Sequence, residues 1–199
     1  MKVIGLTGGV GTGKTTVLRM MEEHFPVRCV VADEVGHLAC TPGSETYQKI
    51  VEHFGKEILS GGPENTAGCI DRQVLAEIVM KEKKELMFLN SVIHPFVKSY
   101  VMERRDEAET AGCPYFIIES AILIECGYES ICDEFWYVHA SEDVRRKRLK
   151  DDRGYTDEKI ENLYKNQQKE DYFRKKCTKV IENNCGKETI LAQLKLLLV

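Results

Sequence analysis

No apolar run in these 199 residues approaches the ~18–20 needed to cross a bilayer, so no membrane span is expected. The spacing C-x-x-C is also missing, although there are eight cysteines: Cys29, Cys40, Cys69, Cys113, Cys126, Cys132, Cys177 and Cys185. Its absence excludes the usual zinc-ribbon and thioredoxin patterns. Positive charge is not in excess either. Lys and Arg total 28 against 32 Asp and Glu, a formal charge of −4, which argues against a nucleic-acid binder that works through a general basic field. A glycine-rich loop begins so close to residue 1 that no signal peptide is expected, and the cysteines are read as reduced thiols of a cytoplasmic protein. There is no internal repeat and no signal of oligomeric state. Apolar residues make up 43% and charged residues 30%, so the chain can bury a core without disulfide or metal staples.

Strand and helix signals alternate. Residues 2–7 read as a buried strand, 15–25 as a helix, and 27–32 as a second strand ending at Asp33. Residues 42–55 and 71–81 read as helices, the latter with Val74, Leu75, Ile78 and Val79 as its apolar stripe. Ser60-Gly61-Gly62-Pro63 marks a loop. Because proline suits the first position of a helix, the pattern is divided at Pro95: one helix over 85–93, another beginning at His94 and running to 109. Strands follow at 115–118 and 135–139, then helices opened by Ser141 and Thr156, a last strand at 179–182 and a last helix at 187–198. Residues 196–199 read as the buried end of that helix. The expected class is α/β, a mostly parallel sheet flanked by helices. Its core is expected over about 1–36, 114–140 and 175–199, with a helical insertion over about 37–113 and a lid over about 141–174.

Gly8-Gly9-Val10-Gly11-Thr12-Gly13-Lys14-Thr15 satisfies G-x-x-x-x-G-K-[ST]. Glycines let the backbone turn its N–H groups inward onto phosphate oxygens, and the helix that follows adds the positive end of its dipole. Lys14 supplies charge to the β- and γ-phosphates, and the Thr15 hydroxyl can bind Mg²⁺. Strand before and helix after complete the context for binding a nucleoside triphosphate. Asp33-Glu34-Val35-Gly36 matches the D-x-x-G pattern of GTPases by chance: it follows the loop too soon, and no Asn-Lys-x-Asp sequence is present to read guanine.

Asp33 stands where open α/β sheets hold ligands, and its carboxylate could accept a hydroxyl proton, bind metal through water, or cap a helix. Glu119 resembles a Walker-B acid beyond an apolar strand, with a structural role equally open. On pattern alone, His94 is a capping residue and Arg72 a solvated helix charge. Arg145-Arg146-Lys147-Arg148 can be either a solvated face or a lid that brings cations over the triphosphate. The acids Asp151, Asp152, Asp157 and Glu158 follow at once, which disfavours an RNA or membrane patch.

Taken in order, these pieces resemble the dephospho-coenzyme A kinase family from Ile4 to about Asn184. The resemblance rests on the opening Ile4-Gly5-Leu6-Thr7 with its loop, on Ala32-Asp33 with His37 and Pro42-Gly43, and on Ile70-Asp71-Arg72 through Leu75. Leu89-Asn90 leading to His94-Pro95, Leu123-Ile124-Glu125, Arg148-Leu149, Gln167 and Val180-Ile181-x-Asn183 complete it. Departures are Val31 where the family usually has an acid, Ala121-Ile122-Leu123 for Pro-Leu-Leu, the reversed order Asp152-Arg153, and Asn162 for arginine. The reversal leaves Arg153, or another cation of the cluster, to serve the lid.

The resemblance implies a P-loop core, a helical region that binds the coenzyme, and a mobile lid. It implies transfer of the γ-phosphate of ATP to the ribose 3′-hydroxyl of dephospho-coenzyme A. Mg·ATP is expected on residues 8–16, with Gly8, Gly9, Gly11, Thr12, Gly13, Lys14, Thr15 and Thr16 as its contacts. Asp33 matches the family's general base and Arg148 its lid arginine, while His37, Arg72 and His94 match acceptor-side positions. The rivals are a P-loop kinase for nucleosides or nucleoside monophosphates, and a nucleotide-binding module without turnover.

Overall fold

The computed structural model describes residues 1–61 and 68–198. These fall into two compact units, Met1–Val31 with Arg105–Val199, and Ala32–Arg104.

The first unit is built on five parallel strands: β1 (Lys2–Thr7), β2 (Val27–Val31), β3 (Tyr115–Glu119), β4 (Glu134–His139) and β5 (Lys179–Glu182), in spatial order β2-β3-β1-β4-β5. The three inner strands are almost wholly buried, as strands covered on both faces must be, and they read as continuous apolar runs. The edge strands β2 and β5 are less covered. Helices α1 (Lys14–His24) and α9 (Lys187–Leu197) pack on the sheet through Val17, Leu18, Met21, Ile190 and Leu194 against Ile4, Leu6, Ile117 and Val138. Each such side chain contributes about 1.5–3 kcal/mol by leaving water. The chain passes from β1 to one side of the sheet for β2 and β3, and then to the other side for β4 and β5. Strand order therefore reverses at β1, which places a ligand crevice at its carboxyl end, where the glycine loop lies.

Three further helices of this unit follow β4: α6 (Glu142–Arg153), α7 (Asp157–Lys165) and α8 (Glu170–Lys176). The hydroxyl of Thr156 caps α7 by accepting from the Lys159 N–H. Ser141 occupies the N-cap position of α6, but its hydroxyl makes no cap bond; its own N–H donates to Asn184 Oδ1 at 2.8 Å.

The second unit holds α2 (Ala32–Leu38), α3 (Glu45–Phe54), α4 (Arg72–Lys81) and most of α5 (Lys83–Thr110). Tyr47, Ile50 and Phe54 of α3 pack with Leu75 and Val79 of α4 into its own core. Ser44 caps α3 by accepting from the Tyr47 N–H, and Asp71 caps α4 by accepting from Gln73 and Val74 N–H. Of the loop expected at Ser60-Gly61-Gly62-Pro63, Gly62 and Pro63 lie outside the described residues.

Three expectations need correction. Asp33 does not close β2. The strand ends at Val31, and Asp33 sits in the first turn of α2, where its charge meets the positive end of the helix dipole. Pro95 does not divide a helix. Residues 83–110 form one continuous α5, and His94 lies in its middle rather than at a start. Ser91, His94 and Pro95 are exposed, so the carbonyl that Pro95 cannot bond faces water and the helix continues. The end of α9 is not buried throughout: Leu198 is 7% exposed but Leu196 is 82% exposed.

Candidate active site

The loop between β1 and α1 is shaped by conformations that only glycine adopts freely. Gly11 has φ 78° and Gly13 φ 88°. Gly13 stands at the N-cap of α1, where no side chain caps the helix and no acid occupies the first turn. A helix start with no side-chain cap presents its first-turn N–H groups and the positive end of its dipole to an anion. Thr12, fully buried, braces the loop by donating its hydroxyl to the Gly9 carbonyl at 2.9 Å. Lys14 folds back across the loop and donates from Nζ to the Gly8 carbonyl at 2.9 Å. The β1–β3 register sets Glu119 beside Leu6. Its buried carboxylate lies 3.9 Å from Lys14 Nζ, so an acid does stand at the base of the loop.

Side chains distant in sequence hold the loop from both sides. On the Thr12 side, Asn183 at the end of β5 donates from Nδ2 to the Thr12 carbonyl at 2.8 Å. Arg148 of α6 reaches the same carbonyl from Nη1 at 3.4 Å, and from Nη2 donates to the Asn183 carbonyl at 2.9 Å. On the Gly9 side, Gln167 Oε1 accepts from the Val10 N–H at 3.0 Å, and Arg145 Nε donates to the Val10 carbonyl at 2.8 Å. The Arg145 guanidinium lies over the Tyr164 ring of α7, 4.4 Å from its centroid, a cation–π contact. Burial pushes the Tyr164 phenol above its ordinary pKa, while the Arg145 charge pulls the other way. Arg146 points elsewhere, paired with Glu142, Asp157 and Glu161, and so ties α6 to α7. Thr15 and Thr16 are exposed in the first turn of α1.

Asp33, His37, Arg72 and His94 all belong to the second unit, and all four are exposed. A side-chain carbon on Gly36 of α2 would stand 3.8 Å from Ile93 of α5, so these two helices lie close to one another within the unit. Arg72, the first residue of α4, acts electrostatically on the Cys40 thiol just past α2. Burial raises that thiol's pKa, and the Arg72 charge opposes the rise.

Asn183 and Gln167 figured in the sequence only as places of likeness, and Arg145 only as one cation of a cluster. Nothing local marks them as loop contacts; their partners lie 171, 157 and 135 residues away. Arg153 lies exposed at the end of α6.

A five-stranded parallel sheet with a G-x-x-x-x-G-K-T loop at the end of its central strand, leading into a helix N-terminus, defines a P-loop kinase fold. The shikimate kinase of Acinetobacter baumannii shares that fold with a TM-score of 0.50 at 16% identity, covering 98% of this chain and 91% of that one. The chain belongs to the dephospho-CoA kinase family, whose model matches residues 2–189. The dephospho-CoA kinase of Dehalococcoides mccartyi is 32% identical over 198 residues, 99% of this chain and 96% of that protein. A solved structure from Thermus thermophilus superimposes with a TM-score of 0.83 at 27% identity, covering 99% of this chain and 96% of that one. The protein is therefore a phosphotransferase that uses ATP as co-substrate and acts on a small molecule. No helix among the described residues is long and apolar enough to cross a membrane.

Proposed function

We propose that this chain transfers the γ-phosphate of ATP to the ribose 3′-hydroxyl of dephospho-coenzyme A, releasing coenzyme A and ADP. One observation carries the reading: family likeness extends over residues 2–189, through both the phosphate loop and the helical unit. The reaction is the last step of coenzyme A synthesis. A cytoplasmic setting is supported by eight cysteines that all remain free thiols.

ATP is held by residues 8–16. Backbone N–H groups of the loop and of the first turn of α1 take the phosphate oxygens, and Lys14 leaves the Gly8 carbonyl for the β- and γ-phosphates. Among the described residues no three His, Cys, Asp or Glu gather to cage a metal. A magnesium ion that arrives on ATP needs no cage, since it keeps waters and phosphate oxygens, and the exposed Thr15 hydroxyl suits it as one protein ligand. Bound there, it would neutralise charge on the triphosphate.

Asp33 takes the proton of the attacking hydroxyl. His37, Arg72 and His94 bind the acceptor, with the helical region over about 37–113 as its seat. Arg148 adds positive charge on the Thr12 side of the loop. Residues 141–174 act as the lid, whose closure excludes water from the reacting phosphate and limits wasteful hydrolysis.

The test is turnover of ATP and Mg²⁺ with dephospho-coenzyme A, AMP and adenosine as parallel acceptors, with products identified by mass. One phosphate added to dephospho-coenzyme A, with little on the others, is the expected result. Phosphorylation of AMP or adenosine instead would overturn the acceptor. ATP binding with no product on any acceptor would overturn catalysis itself.

A further inference from the structure

Several cations border the phosphate loop, and most are already neutralised or committed. Arg148 spends Nη1 on the Thr12 carbonyl and Nη2 on Asn183. Arg146 is held by three carboxylates. Arg153 is exposed at the far end of α6. Arg145 differs from these. Its Nε is bonded to the Val10 carbonyl at 2.8 Å and its guanidinium is stacked on Tyr164, yet its Nη2 is buried with no hydrogen-bond partner among the described residues. The Tyr164 hydroxyl beside it is buried and unpartnered in the same sense.

A buried guanidinium N–H without an acceptor is costly, and native proteins leave few such groups. Two of them together, one on each side of a cation–π stack, point to a polar ligand that completes the set. Their position names its chemistry. A side-chain carbon on Gly9 would stand 2.9 Å from Arg145 Nη2, while Lys14 Nζ lies 2.9 Å from the Gly8 carbonyl. Both cations thus converge on the Gly8–Gly9 arc. Lys14 is the residue that meets the β- and γ-phosphates in such loops, so the missing acceptor is a phosphate oxygen at the γ end. The planar guanidinium suits an oxygen array that spreads its charge better than a point charge does. Gly9 has no need of a positive φ; a side-chain carbon there would crowd the ends of Arg145 and Gln167, which would have to shift.

We propose that Arg145 is a catalytic arginine of this kinase, donating from Nη2 to an equatorial oxygen of the phosphoryl group in transfer. The proposal rests on the kinase reading above. In the step, the acceptor oxygen bonds to the γ-phosphorus while the bond from that phosphorus to the bridging oxygen breaks. ADP leaves with the electron pair, and the hydroxyl proton goes to the acceptor-side carboxylate. Arg145 exchanges no proton; it offsets charge that grows on the equatorial oxygens. The Val10 carbonyl and the Tyr164 ring fix the guanidinium plane beforehand, and only the cover over the buried Nη2 must part when ATP enters for a phosphate oxygen to reach it.

The experiment compares wild type with Arg145→Ala, Arg145→Lys and Arg153→Ala. It reads kcat, KM for ATP, ADP affinity, melting temperature, and the ternary complex of ADP, aluminium fluoride and acceptor. Arginines in this role are worth about 10³–10⁵ in kcat. Arg145→Ala is expected to lose at least ~100-fold in kcat, with KM for ATP and ADP affinity within roughly threefold, and to lose the fluoride complex. Arg145→Lys recovers little, because an ammonium cannot bond Val10 and the phosphoryl group from one rigid plane. Wild-type kcat in a folded Arg145→Lys or Arg145→Ala enzyme overturns the proposal. So does loss of ADP affinity with kcat intact, the signature of a loop brace, or a large kcat loss in Arg153→Ala alone. Should wild type phosphorylate an acceptor other than dephospho-coenzyme A, the acceptor reading fails. Arg145→Ala must then still lower kcat on the acceptor that is used.

Discussion

Asn183 and Thr12, at opposite ends of the chain, are joined by a 2.8 Å hydrogen bond from side-chain amide to backbone carbonyl. The bond stitches the end of the edge strand β5 to the phosphate loop. Asn183 is 3% exposed and is fixed in turn by its own N–H, which donates to the His139 carbonyl at 2.8 Å. It also explains the glycine at 13, since any side-chain carbon there would collide with the Asn183 amide.

Asn183→Ala should therefore loosen the loop without unfolding the sheet. Thr12 keeps its weaker bond from Arg148 at 3.4 Å, so its carbonyl is not stranded. The expected cost is about 1–3 kcal/mol. Each kcal/mol moves the melting temperature by about 2–4 °C in a protein of this size. Thermal denaturation should show that drop, and KM for ATP should rise as the loop loses its preset shape. An unchanged melting temperature with unchanged ATP affinity would mean that the bond contributes nothing.

Asp33→Asn tests the acceptor side. The substitution keeps shape and removes the proton acceptor, and Asp33 is exposed in the first turn of α2, where the change leaves no cavity. A general base contributes about 10²–10⁴-fold, so kcat should fall by at least ~100-fold while ATP binding stays as in wild type. Steady-state kinetics with a separate nucleotide titration will separate the two. A kcat equal to wild type would remove Asp33 as base. Loss of ATP affinity would assign it to the nucleotide instead.

The loop and the sheet were legible for different reasons. Phosphate binding needs glycines at fixed places before a lysine, so Gly8 to Thr15 declared themselves. The inner strands are buried on both faces, so Val3, Ile4, Leu6 and Phe116 to Ile118 read as unbroken apolar runs. Pro95 misled because its local preference is for a helix start, whereas its cost of about 3 kcal/mol inside a helix, a lost bond and a ring clash, is borne here within the 28 residues of α5. Asp33 was placed one element too early, because Ala32 fits a strand end as well as a helix start. Arg145, Gln167 and Asn183 could not be ranked from sequence at all. Their meaning lies in pairings closed by the fold, and a cluster such as Arg145-Arg146-Lys147-Arg148 does not reveal which cation turns toward the loop.

The eight thiols should divide by reactivity in a way that reports the fold. The thiolate is the nucleophile, so access and pKa decide together. Cys69 and Cys185 are exposed. Cys132 is buried, and its thiol is pushed up to about 12, chiefly by burial and further by the Asp133 and Glu129 charges. Burial likewise pushes Cys177 up to about 12. Cys29 is raised as well, first by burial and then by Glu22. At pH 8 a thiol of pKa about 12 is ionised to roughly one part in ten thousand, against about a quarter for an ordinary cysteine. Iodoacetamide at pH 8, followed by peptide mass spectrometry, should therefore mark Cys69 and Cys185 well before Cys132, Cys177 or Cys29. Cys132 packs against β1, where a side-chain carbon on Gly5 would stand 3.2 Å from its sulfur, so reagent reaches it freely only when that packing opens. ATP binds the folded state alone and should slow that labelling further, while leaving Cys185 unaffected. Labelling of Cys132 as fast as Cys185 would mean that the packing around Cys132 opens in the native protein.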